Sequence, residues 1–261
     1  MTKANPGTVY LVGAGPGDPE LLTLKALRLL ETADVVLHDD LVPQAVLSQS
    51  RRAIVINVGK RCGKKNISQQ QIDTMMVDYA RRGLSVVRLK SGDPLVFGRA
   101  GEEIDALNTA GVPLEVVPGI TAGFAAAAAL RRPLTDRRSA SAVSFSSGHH
   151  VPGSALEAAS LSGATRVVYM PGRDLTVITA QLRCEGYAPD LPCVIVSRAA
   201  QPDQQVVRTS LAQLDRIPPV PAPSILLAGE ALREKSAETA ADLTPRRNQR
   251  DAAALAAEFG D

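Results

Sequence analysis

Residues 12–23 read Val-Gly-Ala-Gly-Pro-Gly-Asp-Pro-Glu-Leu-Leu-Thr. The apolar run before them, residues 8–12, has the β-branched character of a buried strand. A glycine-rich turn follows, and a helical pattern starts directly after it. Strand, glycine turn and helix in that order normally mark a nucleotide pocket. Two details argue against a phosphate ligand. In the G-x-G-x-x-G pattern the third glycine falls at Asp18, which puts a carboxylate where a pyrophosphate would sit. Pro16 also removes a backbone N–H that a phosphate would use. A loop that brings backbone close to a ligand yet carries a negative charge suits a neutral or cationic nucleoside, such as a sulfonium nucleoside. The dinucleotide alternative has one point in its favour. Asp39 follows a second apolar run about 20 residues later, where a ribose-binding acid would stand.

Working outward, apolar β-branched runs at 9–12, 34–37, 54–57, 85–89 and 114–117 alternate with helical patterns at 21–30, 69–81 and 100–110. That alternation predicts a mainly parallel sheet with right-handed crossovers. Asp18 is an expected N-cap for the first helix with Pro19 at its first position, and Ser68 with Gln71 forms a capping box for the third. After Pro118-Gly119 the style changes. An Ala-rich helix at 121–130 leads to strands at 142–145, 166–170, 193–197, 205–209 and 224–228 and helices near 155–161 and 175–183. The strands at 205–209 and 224–228 are close enough in sequence to suggest antiparallel pairing. The expected organisation is α/β: an N-terminal domain over 1–120 with a mainly parallel sheet, a C-terminal α/β domain over 121–245 with a mixed sheet, a cleft between them, and a tail over 246–261.

Composition narrows the function classes. The chain has 261 residues, no Trp, 3% aromatics and a net charge of +2 from 29 basic and 27 acidic residues. No bulk field points to nucleic acid, and stacking platforms for single strands are scarce. No apolar run approaches the ~18 residues of a membrane span, and residues 1–7 lack an apolar leader, so a cytoplasmic location is expected. Cys62, Cys184 and Cys193 form no C-x-x-C pair, and with only His38, His149 and His150 beside them no metal site is expected.

Three further motifs carry chemistry. Arg88-Leu-Lys-Ser-Gly-Asp-Pro-Leu-Val-Phe-Gly-Arg99 again follows a strand, so Gly-Asp-Pro turns at 17–19 and 92–94 both lie at carboxyl ends of strands. Ligands of parallel sheets bind there. Val117-Pro-Gly-Ile-Thr-Ala-Gly123 sits at the domain boundary, and Thr121 either caps the next helix or presents its hydroxyl to a ligand. Val58-Gly-Lys-Arg-Cys-Gly-Lys-Lys65 is a basic loop, and Arg131-Arg132 with Arg137-Arg138 forms a second basic cluster. Each is either a solvated charge run or a surface for a polyanionic small molecule.

Taken together these segments resemble the class III, tetrapyrrole-type methyltransferases, and among them the uroporphyrinogen-III C-methyltransferase group. The matching pieces also include residues 33–42, 133–135, 147–149, 168–170 and 226–230, and the resemblance covers roughly residues 8–232. It implies two α/β domains, a homodimer, and two successive methyl transfers from S-adenosylmethionine to C-2 and C-7 of uroporphyrinogen III. The products are precorrin-2, on the way to sirohaem or cobalamin, and S-adenosylhomocysteine. A methylase of a later precorrin is the neighbouring alternative. The resemblance assigns cofactor contacts to Pro16, Ser91, Gly92, Asp93, Val96, Thr121, Ala122, Met170, Ala199 and Ala228. It assigns the proton acceptor to Asp39 and the proton donor to Lys60, with Lys60 equally able to act as an anion anchor. Arg61, Lys64, Arg99 and Arg137 are the expected contacts to the acidic substrate. No metal, nucleic acid or membrane is implied. The chain departs from the family pattern at Ser91 (usually Gly), Leu95 (often Phe), Asp136 (often His) and the Lys64-Lys65 pair.

Overall fold

The computed structural model describes residue 5 and residues 7–59, 67–148 and 163–234. The first sheet contains β1 (Val9–Gly13), β2 (Val35–His38), β3 (Ile54–Asn57), β4 (Val86–Lys90) and β5 (Leu114–Val117), in the order β3-β2-β4-β1-β5 and parallel throughout. β1, β2 and β4 are buried along their whole length, as strands covered on both faces must be. Helix α1 (Leu24–Thr32) packs Ala26, Leu29 and Leu30 against Tyr10, Val12, Val36, Val87 and Leu89. After the one-turn α2 (Gln44–Leu47), α3 (Gln69–Arg81) and α4 (Ala100–Thr109) cover the other face, where Ile72, Met76 and Leu107 meet Val9, Leu11, Leu37 and Val86. The two-residue period of β4 puts Arg88 and Lys90 on this α3/α4 face, beside Val86.

The chain leaves β1 toward β2 on one side, while β4 crosses β1 to reach β5 on the other. The loops after β1, β4 and β5 therefore meet at a topological switch point. They meet backbone to backbone. A Cβ on Gly13 would lie 2.6 Å from Gly119 Cα, and one on Gly119 would lie 2.3 Å from the Gly92 carbonyl oxygen. Gly15 and Gly92 exchange two backbone hydrogen bonds, 3.2 and 2.8 Å long. The Asp93 carboxylate ties the same loops together, accepting from Leu95 N (2.8 Å) and Gly119 N (3.0 Å).

The second sheet has the order β6-β7-β10-β8-β9 and is mixed. Its strands are β6 (Ala142–Ser147), β7 (Ala164–Tyr169), β8 (Pro192–Ser197), β9 (Gln205–Ser210) and β10 (Ser224–Ala228). Only the β6–β7 pair is parallel. Helix α5 (Ala122–Leu130) lays Ala125, Ala126 and Leu130 on one face. Helix α6 (Thr176–Cys184) and the 3-10 turns over Leu211–Arg216 cover the other.

Two expectations are corrected. Asp18 caps a separate 3-10 turn, Pro19–Leu21, by accepting Glu20 N at 2.9 Å. Leu22 is extended, and α1 begins afresh at Leu24 under its own cap, Thr23, which accepts from Ala26 N at 3.1 Å. Two cap residues in six positions produce two short starts rather than one long helix. Second, β9 and β10 do not pair with each other; each pairs with β8, on opposite sides. Residues 225–228 are apolar and buried on both faces and take the middle of the sheet, whereas 205–209 is half-exposed and takes the edge. Buried Leu211 and Leu214 anchor the connection beneath α6. The capping box at Ser68 and Gln71 is present in both directions. The helix expected at 155–161, the histidines at 149 and 150, and the tail at 246–261 lie outside the described residues.

Gly119→Ala tests the loop contact. It is expected to destabilise the protein by about 1–3 kcal/mol or more in urea titrations, because the clashing atoms are backbone. Gly101→Ala, in α4 with open space around its Cβ position, should instead stabilise by about 0.4–1 kcal/mol.

Candidate active site

A cavity of about 430 Å³ opens where the switch-point loops face the ends of β7, β8 and β10. Nine of the ten residues expected to contact a cofactor line it: Pro16, Ser91, Gly92, Asp93, Val96, Thr121, Ala122, Met170 and Ala199. Ala228 is not among them. It is fully buried in β10, packed with Leu175 and Ile178 on the α6 face. The lining is mainly apolar, with Asp93 and Arg173 as its charged residues among those described. One arginine is a poor match for a pyrophosphate. Asp39, the acid that a dinucleotide reading needs, is absent from this lining. So is Asp18, whose carboxylate serves as a cap, which corrects the expectation that its charge faces the ligand.

The family departure at Ser91 has a simple geometry. The left-handed conformation that demands glycine falls on Gly92 (φ +70°), and Ser91 is not among the positive-φ residues. Left-handed non-glycine residues gather around the cavity: Phe97 (φ 51°) and Met170 (φ 50°) line it, and Arg198 and Ala200 flank Ala199. Each such residue costs about 1–3 kcal/mol and persists only where its surroundings enforce it.

Thr121 occupies the N-cap position of α5 without a side-chain cap bond. Its Oγ1 is 2.6 Å from the Tyr169 hydroxyl, which also accepts from Gly123 N at 3.2 Å. Burial pushes the Tyr169 phenol pKa up, so it stays neutral. This pair joins the start of α5 to the end of β7. Gln201 Nε2 donates to the Pro16 carbonyl at 3.1 Å and ties the loop after β8 to the loop after β1.

Phe97 lies 5.0 Å from the Tyr169 ring and borders a second cavity of about 190 Å³ as well as the first. Asp39, Gln69, Arg88, Lys90 and Arg99 line the second cavity. Asp39, just past the end of β2, keeps its side chain about one-third exposed (31%) and accepts from Arg88 NH2 at 2.5 Å through Oδ1. Behind it, Glu103 of α4 has no exposed surface and accepts from Arg88 Nε (2.9 Å), Lys90 Nζ (2.8 and 3.0 Å) and Gln69 Nε2 (3.3 Å). Burial lowers the Lys90 pKa, and the neighbouring Arg88 charge lowers it further against the opposing pull of Glu103.

Sequence reasoning did not single out Arg88, Lys90, Glu103, Phe97 or Tyr169 as site residues. A signal for the first three exists: cations two apart in an otherwise apolar strand, followed by a glutamate in the first turn of the next helix. Of the expected substrate contacts, Arg99 borders the second cavity but is paired with Glu102 at 2.6 and 2.8 Å, and Arg137 is exposed on the loop before β6. Asp136 accepts from Arg138 NH2 at 2.6 Å, so its charge is met by its own neighbour. Lys60, Arg61 and Lys64 lie outside the described residues.

Comparison with known proteins gives the same picture. The profile of the tetrapyrrole (corrin/porphyrin) methylases matches residues 8–215. A uroporphyrinogen-III C-methyltransferase from Pseudomonas aeruginosa is 46% identical over 233 residues, 87% of this chain and 95% of the relative. A siroheme synthase from a Psychrobacter species is 44% identical over 234 residues, covering 87% of this chain and 48% of that protein. The chain thus spans about half the length of the siroheme synthases it matches. The crystal structure of uroporphyrin-III C-methyl transferase from Thermus thermophilus complexed with S-adenyl homocysteine is 39% identical, with a TM-score of 0.76 over 87% of this chain and 96% of that one.

Thr121→Val removes the hydroxyl that meets Tyr169. A loss of about 1–2 kcal/mol in urea-unfolding stability is expected, because the buried phenol loses one partner.

Proposed function

This chain belongs to the tetrapyrrole (corrin/porphyrin) methylases, and on that premise we propose that it transfers methyl groups from S-adenosylmethionine to C-2 and C-7 of uroporphyrinogen III, giving precorrin-2 and S-adenosylhomocysteine. One observation carries the reading. Nine residues spread from Pro16 to Ala199 converge on a single apolar cavity, and Phe97 borders both it and the cavity that Asp39 lines. The cavity's size falls within the range of small-molecule sites, and its sparse charge suits a sulfonium nucleoside. The identity to a uroporphyrinogen-III C-methyltransferase over nearly that protein's full length supports the substrate assignment.

The methyl donor supplies an electrophilic methyl group on a sulfonium, which a nucleophilic pyrrole carbon attacks in line with the departing sulfur. The protein's part begins with alignment. The glycine loops and the Thr121–Tyr169 pair hold the donor's wall rigid, and positioning of this kind is worth ~7–11 kcal/mol in well-oriented systems. Carbon attack leaves the pyrrole ring cationic until a proton departs. Asp39 accepts that proton at the mouth of the second cavity, a contribution of about 10²–10⁴-fold. Lys60, Arg61, Lys64, Arg99 and Arg137 neutralise the substrate's carboxylates, with Arg99 exchanging its Glu102 partner for one of them. Lys60 serves either as proton donor or as anion anchor in this reading, and Lys60→Arg with full turnover would select the anchor. Residues 1–120 and 121–245 act as the two domains around the cleft. The protein works as a homodimer in the cytoplasm. Exposed Phe124 and Phe145, in edge-to-face contact with centroids 5.9 Å apart, support a self-association surface.

An anaerobic assay with uroporphyrinogen III and labelled methyl donor tests the function, with the product identified by absorbance and mass. Precorrin-2 is expected, and inactivity on uroporphyrinogen III alongside turnover of a later precorrin would overturn the substrate assignment. Gly92→Val places a β-branched residue at φ +70° in the cavity wall, and calorimetry should then detect no S-adenosylhomocysteine binding while the fold persists. Asp39→Asn should lower kcat by about 10²–10⁴-fold with donor affinity unchanged.

A further inference from the structure

One buried carboxylate has no part in the scheme above. Glu103 is sealed from water, yet four hydrogen bonds from three side chains converge on it. An ion cluster of this kind is a poor source of stability, since apolar side chains of similar volume often serve as well or better. Its connections suggest another use. Arg88 is forked: Nε goes to Glu103 at 2.9 Å and NH2 goes to Asp39 Oδ1 at 2.5 Å. A guanidinium is planar and rigid, so fixing its Nε edge fixes the direction in which NH2 points. Among the described residues only Oδ1 of Asp39 is engaged in this way, which leaves the other oxygen for the cavity. Lys90 brings the cluster to two cations and two carboxylates.

We propose that Glu103 is a positioning residue for Asp39, acting through Arg88, and that Lys90 is the counter-charge that stops Glu103 from drawing the guanidinium away from Asp39. The proposal rests on the reading of Asp39 as proton acceptor. Among the described residues, the charged and titratable groups around this pair are Arg88 and Lys90 from β4, Glu103 and Glu102 from α4, Asp73 from α3 and Arg99 from the loop before α4. His38 precedes Asp39, and its Nδ1 meets the Asp39 carbonyl at 2.9 Å. Removing the Glu103 charge leaves Asp39 as the only carboxylate bonded to Arg88. The cluster then carries an extra positive charge. The Asp39 carboxylate is stabilised and becomes a weaker base, and the guanidinium loses its aim.

Profiles of kcat against pH for the wild type, Glu103→Gln, the charge-balanced Glu103→Gln/Lys90→Met double variant and Asp39→Asn test this. Glu103→Gln should shift the acidic limb down by roughly half a pH unit or more. Its plateau should fall by about 10- to 100-fold, the scale of a small misplacement. S-adenosylhomocysteine affinity should stay within about twofold of wild type, because Glu103 does not line the donor cavity. The double variant should return the limb toward its wild-type position while its plateau stays low. That combination separates lost charge from lost aim. A wild-type limb and plateau in Glu103→Gln would overturn the proposal, and the double variant decides in the same way where the single one fails to fold. A lower melting temperature or a raised KM with limb and plateau unmoved would make Glu103 merely structural and also overturn it. Full turnover by Asp39→Asn would instead remove the proton-acceptor reading, an outcome read independently of Glu103.

Discussion

Three loops touch through their backbones at the carboxyl ends of β1, β4 and β5, and the site depends on that contact. Gly13, Gly92 and Gly119 approach so closely that Cβ atoms on Gly13 or Gly119 would fall within 2.3–2.6 Å of neighbouring main chain. Protein interiors do not yield by an ångström without rearrangement. The contact therefore sets where Ser91 to Val96 and Thr121 stand, and with them one wall of the larger cavity. Asp93 reinforces it with two backbone hydrogen bonds. A residue that looks like a ligand-binding acid thus also holds the wall in place.

The opposite wall comes from a sheet built on different rules. The first sheet is parallel and covered on both faces; the second is mixed, with β10 buried at its centre and β9 at its edge. Two polar contacts among the described residues join the walls. Tyr169 meets Thr121, and Gln201 meets Pro16. Phe97, held at positive φ, borders both cavities and rests on Tyr169. Such strain is tolerated where packing on every side leaves no alternative, and here several such residues gather around the larger cavity.

Buried charge follows the same logic. Arg88, Lys90 and Glu103 are almost wholly withdrawn from water, which is costly unless each is paired. Among the described residues they pair with one another, and the cluster reaches part-exposed side chains at Asp39 and Gln69. The C-terminal sheet has its own buried pair, Arg166 and Glu185 at 3.2 Å, but this lies on the α6 face and borders neither cavity. Proximity to a cavity, rather than burial alone, distinguishes the first cluster.

Local chemistry was enough to determine a good deal from the sequence alone. The β-branched runs at 54–57, 114–117 and 224–228 coincide with β3, β5 and β10, and α3 begins and ends where its capping box and pattern put it. Period and capping act over a few residues, so they can be read in one dimension. The glycine loops suggested a ligand, and the two Gly-Asp-Pro turns follow β1 and β4 at their carboxyl ends. Other features depended on what packs against what. Residues 205–209 and 224–228 are neighbours in sequence, yet β8 lies between them, because Ile225 to Ala228 bury on both faces while 205–209 stays half-exposed at the edge. Ala228 was assigned to the cofactor wall, but the pleat turns it toward α6. Arg88 and Lys90 look like surface cations until β4 is buried between β1 and β2, and Glu103 gains its meaning only when α4 folds back over that strand. A charge's partner is fixed by distance in space, and that distance exists only after the chain has folded.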